Sequence, residues 1–310
     1  MREISLDQPP DVMPVNTFLI YGDSRSGKTT FAASFPRPLF LSDVTEGGWD
    51  SIANMADEQF FEPGRKPLVW GIEKMSDMAE ARVKAQPLIQ SGAVKTIVVD
   101  SISFYCDLYL NSLLGMQTKK DTRAAYGDLG NHLRDLRVQM HSLGVNVVWL
   151  GLAKHPDADY PIGGPMIPGQ QGDKFMAGCH YVFFARSYQE RKGQDVLPAV
   201  YEMRTRRYLG YVAGNRLGGR ANDLPDPLVG DYVTFLEHLG YDYQAILANI
   251  HKPIAAPKPV IVAPKPTPVA TPAPVATPKL APATPAPVAV VKPAATPAAK
   301  PAVSPTVVRR

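Results

Sequence analysis

The chain has 310 residues, 45% of them apolar, and a formal net charge of +4, which is enough apolar material for one large core and a length for one or two domains. No apolar run is long enough to span a bilayer, and the start MREISLDQPPD lacks a signal-peptide pattern, which argues against a membrane protein. The two cysteines, Cys106 and Cys179, stand outside CxxC spacing, so neither a disulfide framework nor a cysteine metal site is expected, and a reducing cytoplasm is the expected setting.

Residues 1–16 read as an irregular lead-in broken by Pro9, Pro10 and Pro14. Residues 17–21 (TFLIY) are a short apolar run of strand formers that ends at Gly22. Residues 29–34 read as a helix stopped by Pro36, and 38–42 (PLFLS) as a second strand. A third strand is expected at 68–72 (LVWGI), a helix over 75–91, and a buried strand at 95–100 (KTIVVD), marked by its continuous β-branched run. Helical spacing returns over 103–114 and 123–143, with a polar link at 115–122 between them. Residues 145–152 (VNVVWLGL) form another buried strand. A long loop is expected over 154–175, with Pro161, Gly163, Gly164, Pro165 and Pro168 at its centre. Strands are expected at 180–185, 199–208 and 211–213, and a closing helix over 231–250. Short apolar strands alternating with helices predict an α/β fold, a mostly parallel sheet covered on both faces, with antiparallel strands at one edge.

From His251 onward the composition changes. Sixteen of the 31 prolines lie between Pro253 and Pro305, and no aromatic residue occurs. The same stretch carries eight Lys or Arg and no acid, leaving 25 basic against 29 acidic residues in the remainder. The pI near 8.9 therefore belongs to the tail and not to the expected fold. Such a segment cannot bury enough apolar surface to offset its ordering entropy, and its prolines favour extended conformers. The expected organisation is a lead-in over 1–16, an α/β domain over 17–250 and a disordered basic Pro/Ala-rich tail over 251–310. The tail reads either as a spacer or as a nonspecific electrostatic arm.

The most informative segment is Gly22-Asp23-Ser24-Arg25-Ser26-Gly27-Lys28-Thr29, with Thr30 next to it. It matches G-x-x-x-x-G-K-[ST] and sits between an apolar strand and a helix, the context this phosphate-cradling loop requires. The glycines allow close backbone approach, Lys28 is expected to reach the β/γ-phosphates, and the Thr29 hydroxyl to bind Mg²⁺. A second acid is needed beside it to hold the ion. Asp100 ends the 95–100 strand, where ligands gather in open α/β sheets. The competing reading is an Asp that caps the next helix.

For hydrolysis, Glu46 is the candidate to orient water, in the run Ser42-Asp43-Val44-Thr45-Glu46-Gly47-Gly48; Asp43 is its rival, and a solvated loop acid the plain alternative. His155 comes after the 145–152 strand. It reads either as a group that feels the γ-phosphate or as an ordinary loop histidine. Arginines cluster at Arg204, Arg206, Arg207, Arg216 and Arg220. Arg216 is the candidate for a finger acting on a neighbouring subunit, against the reading of a solvated basic face.

These pieces, in this order, resemble the phage-encoded RecA-like P-loop ATPases, including the reduced RecA-like single-strand annealing proteins. The run from Tyr21 through the loop to Leu41 and on into Glu46-Gly47-Gly48 carries most of the likeness. Val98-Val99-Asp100-Ser101, Tyr126-Gly127-Asp128-Leu129-Gly130, Lys154-His155 and Ala213-Gly214-Asn215-Arg216 extend it. The resemblance implies a RecA-type core, ATP with Mg²⁺, homo-oligomers with nucleotide near subunit interfaces, and action on single-stranded DNA alongside a single-strand-binding protein. Two features depart from the family: the position before Val182, often Asp, is His180 or Tyr181, and the tail is basic. DNA contact would use the loops at 115–125 and 154–174, through Lys119, Lys120, Arg123, Lys154 and Lys174, with Tyr126 and Tyr160 as stacking platforms; ordinary solvated loops are the alternative. Three functions compete: a DNA-dependent ATPase of recombination or annealing, a nucleotide-switched assembly protein with little hydrolysis, and a small-molecule P-loop kinase.

Overall fold

The computed structural model describes residues 12–45, 47–116, 122–158, 161–192, 195–220 and 222–250. The expected tail and most of the lead-in lie outside these residues. The strands are β1 (Thr17–Gly22), β2 (Pro38–Asp43), β3 (Leu68–Ile72), β4 (Thr96–Asp100), β5 (Asn146–Lys154), β6 (Gly164–Pro165), β7 (Tyr181–Tyr188), β8 (Arg191–Lys192), β9 (Asp195–Val196), β10 (Val200–Arg204) and β11 (Gly214–Asn215). The helices are α1 (Lys28–Ala33), α2 (Trp49–Ala53), α3 (Met75–Gln90), α4 (Ile102–Met116), α5 (Thr122–His141), α6 (Gln171–Met176), α7 (Tyr232–His238) and α8 (Tyr243–Asn249).

The main sheet has the order β10-β7-β1-β5-β4-β2-β3. All neighbours from β7 to β3 run parallel, while β10 and β11 pair antiparallel with β7. The expected α/β architecture, a mostly parallel sheet with antiparallel strands at one edge, is what the described residues show. As expected for its parallel strands, β1, β2 and β4 are buried along their whole length. Alternation splits them between two cores. Leu19, Tyr21, Leu41, Val99 and Trp149 face α3, α4 and α5; Phe18, Ile20, Phe40, Val98 and Leu150 face α1, α7 and α8. Aromatics dominate the second core: Phe18 meets Phe35 edge-on at 4.9 Å, and Tyr232 stacks on Phe35 at 3.9 Å.

Three regions differ from the sequence reading. The closing helix over 231–250 is two helices. Gly240, at φ 76°, ends α7 in a Schellman turn in which Tyr241 N–H donates to Leu236 O. Asp242 then caps α8 by accepting from Ala245 N–H, as Asp231 caps α7 by accepting from Thr234 N–H. The predicted 154–175 loop contains β6, paired with the end of β5, and α6. A six-residue helix has little stability of its own; Arg137 holds α6 by donating to the carbonyls of Lys174 and Phe175. The predicted 211–213 strand lies at 214–215 as β11, and the predicted 199–208 strand ends at Arg204.

Parallel register fixes where chemistry can occur. Gly22 pairs with Leu152, and Asp100 with Leu150 and Ser42. The carboxyl ends of β1, β5, β4 and β2 therefore lie along one edge, where ligands bind in such sheets.

Candidate nucleotide-binding site

The loop between β1 and α1 is packed tightly from below. A Cβ on Gly22 would lie 2.1 Å from the Ala185 carbonyl oxygen of β7, so only glycine fits. Gly27 adopts φ 85°, and a Cβ there would lie 2.9 Å from the Tyr201 ring of β10. Ser24, Arg25, Ser26 and Thr30 line the cavity above, which measures about 650 Å³ and is closed by Gly48, Ser51, Asp100, Ser101, Gly151 and Tyr201. That is ample for a nucleotide.

Lys28 curls over its own loop. Its Nζ donates to Gly22 O at 3.0 Å, Asp23 O at 2.6 Å and Ser26 Oγ at 3.4 Å. Thr29 Oγ1 donates to Asp100 Oδ2 at 3.0 Å, across the one strand, β5, that separates their elements. Asp100 is buried, and burial pushes its carboxyl pKa up; the Thr29 hydroxyl and the Lys28 charge oppose this shift, and Asp43 adds to it. Gly48, at the start of α2, leaves the space beside that carboxylate open: a Cβ there would lie 3.0 Å from Asp100 Oδ2 and 3.7 Å from Thr29 Oγ1. A hydroxyl, a buried carboxylate and a gap without a side chain suit a hard cation with oxygen ligands. The rival role of Asp100 as helix cap is filled by Ser101, whose Oγ accepts from Phe104 N–H at 3.3 Å.

Asp43 is committed elsewhere: its carboxylate accepts from Thr45 N–H at 3.0 Å and Thr45 Oγ–H at 2.6 Å. Glu46 lies outside the described residues, between Thr45 and Gly47. His155 comes directly after β5. Its Nε2 lies 3.2 Å from Asp23 Oδ1, and its Nδ1 is 2.5 Å from the Tyr211 hydroxyl. Tyr211 stacks on Phe184 at 3.9 Å, and the Tyr21 hydroxyl donates to Val212 O at 2.6 Å. The phosphate loop is thus linked to the 208–212 turn through His155, a connection that residue spacing does not reveal.

The arginines disperse. Arg204 pairs with Glu202 at 2.9 Å and lies over the Tyr208 ring at 4.0 Å, while Arg206 donates to Leu224 O. Arg216 comes directly after β11, which pairs with the amino end of β7, and its guanidinium donates to Ala177 O. Four residues of β7, roughly 13 Å at a strand's rise, separate this level from that of Gly22. Arg216 therefore stands away from the phosphate loop of its own chain. His180 Nδ1 accepts from Thr17 N–H at 2.9 Å. Of the DNA candidates, Lys119, Lys120 and Tyr160 lie outside the described residues. Arg123 and Tyr126 lie on the first turns of α5 rather than in a loop, Lys154 ends β5, and Lys174 lies on α6. Lys174 lines a cleft of about 420 Å³ with Arg134 and Arg137.

A strand-anchored GKT loop, a lysine over it and a buried aspartate hydrogen-bonded to its threonine define a P-loop nucleotide-binding protein of the α/β class. Residues 15–217 match the family described as the AAA domain, and the chain belongs to that family. No curated protein matches the chain. Among solved structures, a KaiC-like protein from the hyperthermophilic archaeon Pyrococcus horikoshii OT3 is similar at 15% identity and a TM-score of 0.36, over 61% of this chain and 78% of that one. Among the described residues, no helix is long and apolar enough to cross a membrane.

Proposed function

We propose that the chain is a Mg²⁺-dependent ATPase that assembles into homo-oligomers and acts on single-stranded DNA in recombination or annealing, in the cytoplasm of a host if it is phage-encoded. The observation that carries the nucleotide part is the Thr29–Asp100 hydrogen bond beneath the phosphate loop. Lys28 would exchange the carbonyls of Gly22 and Asp23 for phosphate oxygens, and Thr29 and Asp100 would hold the ion. The ion, when bound, supplies charge neutralisation at the phosphates. Water attacks the terminal phosphorus and the bond to the β-phosphate oxygen breaks; Glu46 would orient that water, and Arg216 of a neighbouring subunit would meet the developing charge.

The DNA part rests on the family resemblance and on the cations Lys119, Lys120, Arg123, Lys154 and Lys174; a single-strand-binding protein is the expected partner. A second reading, a nucleotide switch with little turnover, is favoured by the Asp23–His155–Tyr211 connection, which would carry the state of the loop to a distant turn. ATP turnover measured with and without single-stranded DNA at two salt concentrations separates them. Stimulation that falls steeply with salt supports the first reading. Tight ATP binding without turnover supports the second, and absence of binding removes both.

A further inference from the structure

Tyr201 is the most unusual aromatic near the site. It is 51% exposed although it sits beside the phosphate loop. β10 places it there: Tyr201 pairs with Ser187 of β7, whose hydroxyl lies 3.5 Å from Arg25 O. Alternation puts it on the same face as the buried Met203, toward α1. One part of the ring covers Gly27, which has no side chain to obstruct it. Among the described residues no other ring stacks on Tyr201, so its open face is available.

A second cavity of about 370 Å³ adjoins the phosphate cavity, and Gly27, Thr30 and Tyr201 line both. Phe31, Met55, Met203 and Leu228 give its remaining wall an apolar part, and Ser34, Gln59 and Asp231 add polar groups. A slot with an apolar wall and a few polar groups, opening off a phosphate site and with an aromatic ring at the junction, has the chemistry of a nucleobase pocket. Stacking scales with the area of the π-face and is worth more for a purine than for a pyrimidine.

We infer that Tyr201 stacks on the base of the bound nucleotide, that the Met55–Met203–Leu228 slot receives that base, and that the site selects purine over pyrimidine triphosphates. This inference rests on the nucleotide reading above and deepens it. Binding of ATP, CTP and inorganic tripolyphosphate, each with Mg²⁺, is measured by calorimetry on the full chain. Tyr201→Ala is expected to weaken ATP roughly tenfold, CTP less, and tripolyphosphate not at all, while Tyr201→Trp retains ATP binding. Equal weakening of ATP and tripolyphosphate would show that Tyr201 only shapes the loop at Gly27 and would overturn the inference. So would an unchanged ATP affinity in Tyr201→Ala, or equal affinity of the unmodified chain for ATP and CTP. If the unmodified chain bound neither ATP nor tripolyphosphate, the nucleotide reading itself would fail, which is a distinguishable result.

Discussion

Replacing Gly48 with alanine tests the cation cradle without disturbing the fold. Gly48 has φ −56° and ψ −28°, a conformation open to any L-residue, so the backbone does not require glycine. At the position before α2, alanine caps less well than glycine by about 0.5–1 kcal/mol, and the lower entropy of the unfolded chain, worth about 0.4–1 kcal/mol, offsets that. The added methyl would lie 3.0 Å from Asp100 Oδ2, closer than an ordinary van der Waals contact, so the carboxylate or the α2 turn must shift by a few tenths of an ångström. Mg²⁺ demands near-ideal oxygen geometry at about 2.0–2.1 Å, and it tolerates such a shift poorly. The expected result is an unchanged melting temperature and a loss of at least about tenfold, or ~1.4 kcal/mol, in affinity for Mg·ATP, with metal-free ATP bound as before. Titration calorimetry with and without Mg²⁺ reads both. Equal Mg·ATP affinity in the two proteins at equal stability would refute the cradle.

The same geometry sets further outcomes. Asp100→Asn should abolish the Mg²⁺ dependence of ATP binding while leaving the protein as stable or more so, because a carboxyl whose pKa burial raises is costly to ionise; chemical denaturation and calorimetry together check this. Lys28→Ala should fold normally and lose Mg·ATP binding at concentrations where the unmodified chain saturates. Arg37 is buried and makes a bidentate contact with Glu62 at 2.6 and 3.0 Å, so Glu62→Ala should cost about 3–5 kcal/mol in urea unfolding by leaving a buried guanidinium without its carboxylate. Burial, His141 and Arg216 all push the His180 pKa below its ordinary 6.5, and Nδ1 must stay unprotonated to accept from Thr17 N–H. As pH falls below that value the unfolded chain takes up the proton and the folded chain resists, so stability declines by up to about 1.4 kcal/mol per pH unit, and His180→Asn should make the decline shallower.

The strands and the phosphate loop were legible because their signals are local. TFLIY, PLFLS, LVWGI, KTIVVD and VNVVWLGL are nearly continuous apolar runs, and β1 to β5 each begin within a residue of where such a run begins. The pairing of Thr29 with Asp100 was also foreseeable, since Asp100 ends one buried parallel strand and Thr29 lies in the first turn of the helix after another. The break in the closing helix could have been read from Gly240 and Asp242, a stop signal and then a start signal two residues later. What escaped depends on long-range register. Tyr201 reaches Gly27 only because β10 folds back along β7, and Arg216 falls at the amino end of the sheet through the pairing of Asn215 with Tyr181. The short α6 has no periodicity to betray it, because its stability comes from Arg137 on another helix.

The two helices that close the domain bear on any attempt to trim it. Tyr232 N–H donates to Ser34 Oγ at the end of α1, and Tyr232, Phe235, Leu236 and Ile246 complete the core that holds Phe18, Phe31 and Phe35. A chain cut at residue 217, where the family match stops, would strip one side of the sheet and lay a band of aromatic rings open to water. Such a fragment would sediment or bind to chaperones rather than bind nucleotide, so the smallest useful piece for crystallisation or labelling must run through Ile250.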